Sequence, residues 1–181
     1  MALIAGSTDD PIAGVVALAA RGDEVAFATI VGAHHRDMTR VAFVIAGDLD
    51  LADEAVAAAW PIAWRKLGSL KDAERLRPWL VSIAANEARQ LVRRRRVRTV
   101  REIPIQDAVT AAGDPSHRAD DLDLAAALGR LAPDDRALLS LRYVAGLTST
   151  ELARATGRSA SGTRVRLMRL LDRLRSELSD D

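Results

Sequence analysis

The arginines between Arg89 and Arg101 are the residues of this sequence most suited to a chemical role. Four of them, Arg93 to Arg96, are consecutive, and Arg98 follows closely. Like charges at this spacing repel one another, and a phosphate backbone would relieve the repulsion because its own negative charges are closely spaced. The same run is also compatible with the solvated end of a helix, where the helix dipole favours cations. This stretch alone leaves both interpretations open.

The segment 78–98, which carries most of these arginines, is predicted to form a helix with two different faces. Pro78 fits the first turn of a helix because its missing N–H would have no partner there. One face is polar and includes Ser82, Asn86, Arg89 and Arg93. The other face is an apolar stripe at three- and four-residue steps, formed by Leu80, Ile83, Ala84, Ala88, Leu91 and Val92.

A second concentration of arginines lies between residues 152 and 175, which contain seven arginines and a single acid. The pattern around it is that of a helix-turn-helix. Thr148 is predicted to cap a short helix, with Glu151 three residues later in a capping-box arrangement. Gly157 then ends this helix, and Ser159 caps a longer one.

The longer helix of this pattern would expose residues that can enter a major groove. Arg158, Arg164 and Arg166 are the best candidates for contacts to phosphates and base edges. A helical hairpin without a DNA role is the structural alternative, but such a hairpin rarely needs this imbalance of charge. The other residues expected on the exposed face are Ser161, Gly162, Val165, Met168 and Arg169.

The composition predicts an all-α fold. Hydrophobic residues make up 49% of the 181 residues, but only 3% are aromatic. The core must therefore be built from Ala, Leu, Val and Ile, which suits closely packed helices. The formal net charge is +1, with acids concentrated early in the chain and arginines in the two segments above.

Several classes of protein are disfavoured. Without cysteine, the chain has no disulfide framework, thiol nucleophile or cysteine zinc site. It has no phosphate-binding glycine loop and no nucleophile–base set, so neither an enzyme nor a cofactor is expected. His34 and His35 lack a third ligand and fit ordinary helix surface better than a metal site. No apolar run is long enough to span a membrane, and no signal peptide is evident, which predicts a cytoplasmic protein.

The helical pattern divides the chain into two small domains. Helices are expected over 11–20, from Asp23 to a break at Gly47, and over 51–67, where Pro61 predicts a kink or a broken helix. Periodicity is lost after residue 97 and returns near Asp121. The predicted layout is a first domain over 1–98, a flexible linker over 99–121 and a helix-turn-helix domain over 122–181.

The order and spacing of these motifs resemble the extracytoplasmic-function (ECF) sigma factors, small bacterial subunits that direct RNA polymerase to promoters. In the first domain the resemblance rests on Ala52-Asp53-Glu54, Trp60, Trp64-Arg65, Arg77-Pro78-Trp79-Leu80, Ile83-Ala84-Ala85-Asn86 and Leu91-Val92-Arg93-Arg94-Arg95-Arg96. In the second it rests on Leu128, Leu131-Ala132-Pro133, Arg136, Leu139, Leu141-Arg142-Tyr143, Gly146-Leu147-Thr148, Glu151-Leu152-Ala153, Gly157, Ser159 and Arg164-Val165-Arg166-Leu167.

This resemblance implies roles for individual residues. The helix 51–67 would dock on the clamp helices of the largest subunit of core RNA polymerase, through Asp53, Glu54, Ala57 and Trp60. The unpaired −10 element of promoter DNA would be read and held by Lys71, Asp72, Asn86, Arg89, Arg93 and Arg94. The −35 element would be read as duplex by Arg158, Ser161, Arg164, Val165, Arg166, Met168 and Arg169. An anti-sigma factor is implied as a further partner, and the linker would run toward the RNA exit path.

The chain also departs from the family pattern. Ala57-Ala58 replaces a usual Gln-Glu, Pro61 lies in the same helix, and the loop 68–75 lacks the aromatic residue often found there. Arg158 replaces an aliphatic residue. Trp60, Trp64 and Trp79 fit core positions better than a base-stacking platform.

Two other functions stay open at this level. One is a dimeric helix-turn-helix regulator that binds duplex operator DNA, and the other is a helical adaptor that binds only proteins. The basic helix at 89–98 separates the first of these from a sigma factor, since a dimerisation domain needs no second nucleic-acid surface.

Overall fold

The computed structural model describes residues 11–99 and 118–179, and within these ranges every regular element is helical. The all-α prediction is thus confirmed. The N-terminal bundle contains α1 (Pro11–Ala20), α2 (Glu24–Ala46), α3 (Leu49–Lys66) and α4 (Leu76–Thr99), with short 3₁₀ turns at Leu67–Ser69 and Ala73–Arg75. The C-terminal bundle contains α5 (Arg118–Arg130), α6 (Pro133–Leu139), a π-helical turn (Ser140–Val144), α7 (Ser149–Thr156) and α8 (Ala160–Ser179). Residues 100–117 of the predicted linker lie outside the described residues.

Local capping explains where the long helices of the N-terminal bundle begin. Asp23 accepts a hydrogen bond from the N–H of Ala26 at 2.9 Å, and Asp48 accepts one from the N–H of Leu51 at 3.0 Å. Gly47 ends α2 with a φ of 71°, a left-handed conformation that glycine adopts at little cost. The hydrogen bond from Leu51, followed by the one from Arg95, holds the pKa of Asp48 below its usual value.

Small residues allow α2, α3 and α4 to pack closely. Seven alanines on these helices are fully buried, namely Ala42, Ala52, Ala55, Ala59, Ala63, Ala84 and Ala88. Larger side chains such as Met38, Ile45, Val56 and Leu80 fill the space between the alanine contacts. Because the interaxial distance follows the size of the side chains at the contact, this core needs few aromatic residues.

Of the two outcomes predicted at Pro61, a kink or a broken helix, the break does not occur: α3 is continuous from Leu49 to Lys66. Pro61 lies on the exposed side of the helix, and so does Ala57 one turn earlier. The carbonyl of Ala57, which loses its helical donor, can therefore be solvated instead.

The helix-turn-helix forms as its capping residues predict. Glu151 accepts a hydrogen bond from the N–H of Thr148 at 2.8 Å, and Thr148 Oγ1 accepts one from the N–H of Glu151 at 3.3 Å. Gly157 ends α7 with a φ of 66°, and Ser159 Oγ accepts from the N–H of Gly162 at 3.1 Å at the start of α8. The core of the C-terminal bundle includes the fully or nearly fully buried residues Leu131, Leu138, Leu141, Leu147, Leu152 and Thr163.

The two bundles lie against each other, and their buried residues form one continuous hydrophobic cluster. α6 and the π-helical turn pack on α2, where Ser140 Oγ donates to the carbonyl of Val41 at 3.1 Å. Arg77 at the start of α4 donates to the carbonyl of Ala145 at 2.6 Å and pairs with Asp37 at 2.7 Å. Because the two bundles pack together, the arginine-rich segments of both belong to one packed unit.

Candidate nucleic-acid interface

Asn86 lies in a groove on the polar side of α4. The groove has a volume of about 400 Å³ and includes Lys66 from α3 together with Trp79 and Ser82 from α4. Asn86 is partly buried there, and its amide can offer both a donor and an acceptor. An aromatic ring, a hydroxyl and an amide beside a cation are the groups that can hold an unstacked base.

Lys71 and Asp72, in the loop before α4, have different surroundings. Lys71 is exposed. Asp72 caps the turn Ala73–Arg75, where it accepts from the N–H of Glu74 at 3.1 Å and from Arg75 Nε at 2.8 Å. Asp72 therefore already has local partners, and in this state Lys71 is the more available of the two.

The arginines at the end of α4 point in several directions. Arg93 and Arg89 both face Asp134 of α6. Arg94 donates to Gln90 on its own helix at 3.4 Å, and Arg95 pairs with Asp48 at 2.7 Å. The polar face predicted from the sequence is thus present, but part of it is covered by the C-terminal bundle.

The outer face of α8 and the turn before it carry the residues predicted to read duplex DNA. Val165 and Met168 are exposed by 48% and 64%, which is unusual for apolar side chains in a helix and suits contacts to base methyl groups. Around them Arg158, Ser161, Arg164 and Arg169 are also exposed. The described residues form a basic groove of about 680 Å³ on this face.

Arg166 differs from the other members of this set. Its guanidinium donates to Asp135 at 2.6 Å, and this hydrogen bond raises the pKa of Arg166. No sequence pattern predicts this pairing, because Asp135 lies 31 residues from Arg166 and resembles any other acid in the first turn of a helix.

The residues predicted to contact a polymerase lie on the outer side of α3. Asp53, Glu54 and Ala57 are exposed, whereas Trp60 is partly buried. Trp60 and Trp64 both make edge contacts with Phe27, with ring centroids 5.8 and 4.6 Å apart. These two tryptophans form an aromatic cluster on α2 and α3, as a core role predicts. Trp79 also packs against the core, but it lines the groove of Asn86 as well.

His34 and His35 have protein neighbours rather than a common ligand. His35 Nδ1 accepts a hydrogen bond from Trp60 Nε1 at 3.1 Å, and the two rings stack. Burial lowers the pKa of His34, against the opposing charge of Asp37. Within the described residues, no group of side chains with metal-binding potential is found, and no helix is long and apolar enough to cross a membrane.

Comparison with known proteins assigns both bundles. Residues 30–98 match the family model for Sigma-70 region 2, and residues 121–174 match that for Sigma-70 region 4. The chain is 30% identical over 158 residues to the ECF RNA polymerase sigma factor SigM of Mycobacterium tuberculosis, covering 83% of this chain and 79% of that protein. This chain belongs to the ECF sigma factors of RNA polymerase. The N-terminal bundle is accordingly called region 2 below, and the C-terminal bundle region 4.

Two further similarities fit this assignment. A Xanthomonas campestris protein named "Probable RNA polymerase sigma factor RfaY" is 32% identical over 168 residues; the match covers 88% of this chain but only 42% of that longer protein. The sigma factor RpoE of Bartonella quintana, solved in complex with the anti-sigma factor NepR, superposes with a TM-score of 0.71. That match is 22% identical and covers 86% of this chain and 98% of RpoE, so it bears on the fold.

Proposed function

We propose that this sigma factor binds core RNA polymerase, that region 2 melts and reads the −10 element, and that region 4 reads the −35 element. The observation that carries the proposal is the difference between the two cationic surfaces. Region 2 offers a groove with a partly buried amide beside an aromatic ring, whereas region 4 offers an exposed helix with arginines around apolar side chains. The first geometry suits a single base, and the second suits the major groove of a duplex.

In region 2, Asn86 reads the edge of an unstacked base, and Trp79 provides a face on which the base stacks. Lys71, Arg89, Arg93 and Arg94 hold the backbone of the separated strand, while Asp72 orders the loop before α4 through its local hydrogen bonds. Capturing a base costs the free energy of unstacking, which stacking and phosphate contacts offset.

In region 4, α8 enters the major groove. Arg158, Arg164, Arg166 and Arg169 supply contacts to phosphates and guanine edges, and Ser161 adds a hydroxyl. Val165 and Met168 contact base methyl groups. The short α7 supports α8 from behind, as in other helix-turn-helix domains.

The outer face of α3 binds the polymerase. Asp53 and Glu54 present carboxylates to the clamp helices of its largest subunit, and Ala57 leaves room for a close approach. Trp60 supplies an apolar contact beside them. The protein works by binding rather than by catalysis, in the cytoplasm with the polymerase, and an anti-sigma factor is its expected inhibitor.

Run-off transcription tests this function. Purified bacterial core polymerase is incubated with a pool of genomic fragments, with and without the protein, and the transcripts are sequenced. Transcripts whose start sites depend on the protein are expected. Specific binding to duplex DNA with no dependent transcript would instead indicate a dimeric helix-turn-helix regulator, and binding to neither DNA nor polymerase would indicate a protein adaptor.

Replacing Arg164 by alanine is expected to weaken duplex binding a few-fold. The change removes one contact to a phosphate, so the slope of log K against log salt should fall in magnitude by about 0.9. Fluorescence anisotropy with a promoter duplex, over a range of salt concentrations, measures both quantities.

Arg130→Ala is the matched control for Arg164→Ala. It removes the same charge from region 4, but Arg130 lies on α5 and pairs with Glu177. If the two variants give the same slope, the loss at Arg164 reflects net charge, and Arg164 does not belong to the interface.

A further inference from the structure

Two adjoining cavities lie between α4 of region 2 and α7 of region 4. The first has a volume of about 200 Å³, and the second, which is the groove of Asn86, has a volume of about 400 Å³. Both cavities are lined by the same four residues, namely Trp79 and Ser82 of α4 with Arg154 and Ala155 of α7. The cavities therefore meet at these residues, and the combined space is called the inter-region groove below.

The two ends of the inter-region groove differ in character. At the end formed by the first cavity, Leu70 and Pro78 join the ring of Trp79 and supply apolar surface. At the other end, Lys66 and Asn86 supply an ammonium and an amide. A ligand that fills both ends therefore needs a planar, largely apolar part joined to a polar one.

The polar part should be an anion, because the inter-region groove carries more positive than negative charge. Its charged lining residues are Lys66, Arg75, Arg89 and Arg154 with the acids Glu87 and Glu151. Both acids already accept hydrogen bonds from neighbours, Glu151 from the N–H of Thr148 at 2.8 Å and Glu87 from Gln90 at 3.2 Å. The excess of cations thus favours a negatively charged ligand.

Arg154 is the arginine best placed to hold such an anion. Arg75 pairs with Asp72 at 2.8 Å, and Arg89 lies 3.5 Å from Asp134. Arg154 is exposed, and among the described residues no carboxylate lies within ion-pair distance of it. Because a guanidinium can bind phosphate oxygens through two N–H groups, an anion beside Arg154 would gain contacts that no acid of the groove already takes up.

We propose that the inter-region groove binds a free nucleoside monophosphate. The base stacks on the indole of Trp79 beside Leu70, and the phosphate lies against Arg154 on the side of Lys66. Stacking accepts any of the bases because each has a π-face, so the geometry selects a class of ligand rather than one base.

The bound nucleotide touches one wall from each region. It therefore stabilises their packed arrangement by mass action. A bound nucleotide would also occupy the face of Trp79 assigned above to the promoter base, and this one consequence rests on the proposed function. The binding itself needs neither polymerase nor promoter and goes beyond that function.

The test is isothermal titration calorimetry on the full chain with AMP as the probe. AMP is expected to bind with a Kd of about 10–500 µM, the range of ligands of this size at ordinary efficiency. Adenosine and inorganic phosphate each fill only one end of the groove, so each should bind about tenfold more weakly or worse. Benzoate, a planar aromatic anion without a sugar, tests whether the groove takes an aromatic acid instead.

Replacing Arg154 by alanine is expected to weaken AMP binding by about fivefold or more, because it removes charge-assisted hydrogen bonds. Arg130→Ala is the matched control, since it removes the same charge from region 4 but lies on α5, where Arg130 pairs with Glu177. Both arginines are exposed, so neither change is expected to disturb folding.

The indole N–H signals locate the ligand independently of any loss of binding. The chain has three tryptophans, and each gives one such signal in a proton–nitrogen correlation spectrum. AMP should shift the signal of Trp79, which Trp79→Phe identifies by its disappearance. The signals of Trp64 and of Trp60, whose N–H donates to His35 at 3.1 Å, should stay in place.

Four results would overturn the inference. They are inorganic phosphate binding as tightly as AMP, benzoate binding as tightly as AMP, equal losses in Arg154→Ala and Arg130→Ala, and AMP-induced shifts that spare Trp79. The first and third would mean attraction to net charge, the second an aromatic acid, and the fourth a different site. A failure of the sigma-factor function would appear separately, as an absence of protein-dependent transcripts, because these binding measurements use the chain alone.

Discussion

Replacing Asn86 by alanine is expected to lower promoter-dependent transcription by about fivefold to a hundredfold. The variant loses the donor and the acceptor that the groove offers to a base edge, a contact that typically contributes about 1–3 kcal/mol to discrimination. Duplex binding by region 4 should stay at the wild-type level because Asn86 lies on α4. Run-off transcription measures the first effect, and permanganate reactivity of unpaired thymines shows whether the defect lies in strand opening.

Thr29→Ala is the matched control for Asn86→Ala. Thr29 is an exposed residue of region 2 that hydrogen-bonds only to the carbonyl of Val25 on its own helix, at 3.0 Å. The control should transcribe as the wild type does. If Asn86→Ala also opens and transcribes the promoter normally, Asn86 does not read the −10 element, and the groove has another use.

The local structure of this chain could be predicted because its causes lie close together in sequence. Asp23 and Thr148 bond to N–H groups three residues away, and Gly47 and Gly157 end helices through their own conformations. The apolar stripe of α4 likewise repeats within a few residues. Such short-range patterns determine where helices begin, end and bury a face.

The contact between the two regions could not be predicted in the same way. Ser140 bonds to Val41 across 99 residues, and Arg93 bonds to Asp134 across 41. In the sequence, the position of Asp134 is already explained locally, because the helix dipole favours an acid in the first turn. Nothing therefore marks Asp134 as the partner of a distant arginine. Charge complementarity between the acids of α6 and the arginines of α4 becomes visible only when both faces are placed in space.

Trp79 shows the same limit on a smaller scale. All three tryptophans occur in helical segments, and their spacing alone predicts core positions. Trp60 and Trp79 both pack against the core, and Trp60 and Trp64 join Phe27 in a cluster, but Trp79 also lines the groove that α3 and α7 leave beside Asn86. Helical periodicity separates an inner face from an outer one, but it does not show where neighbouring helices leave a gap.

Replacing Leu152 by alanine is expected to destabilise region 4 by about 2–5 kcal/mol, the usual cost of a cavity in a well-packed core. Leu152 is fully buried in α7, which packs against both α8 and the π-helical turn. Domains are stable by only about 5–15 kcal/mol, so this loss is a large fraction of what holds α8 in place. Thermal unfolding followed by circular dichroism measures it, and anisotropy with a −35 duplex shows its effect on binding.

Leu178→Ala is the matched control, since it removes the same atoms from a leucine of α8 that is 42% exposed. Its effect on the free energy of unfolding should stay within about 0.5 kcal/mol. Run-off transcription by Leu152→Ala should fall with duplex binding, because the packing of α7 beneath α8 supports the helix that carries the side chains proposed to read the −35 element. A Leu152→Ala protein as stable as the Leu178 control, and equally able to bind the duplex, would mean that α7 does not support α8.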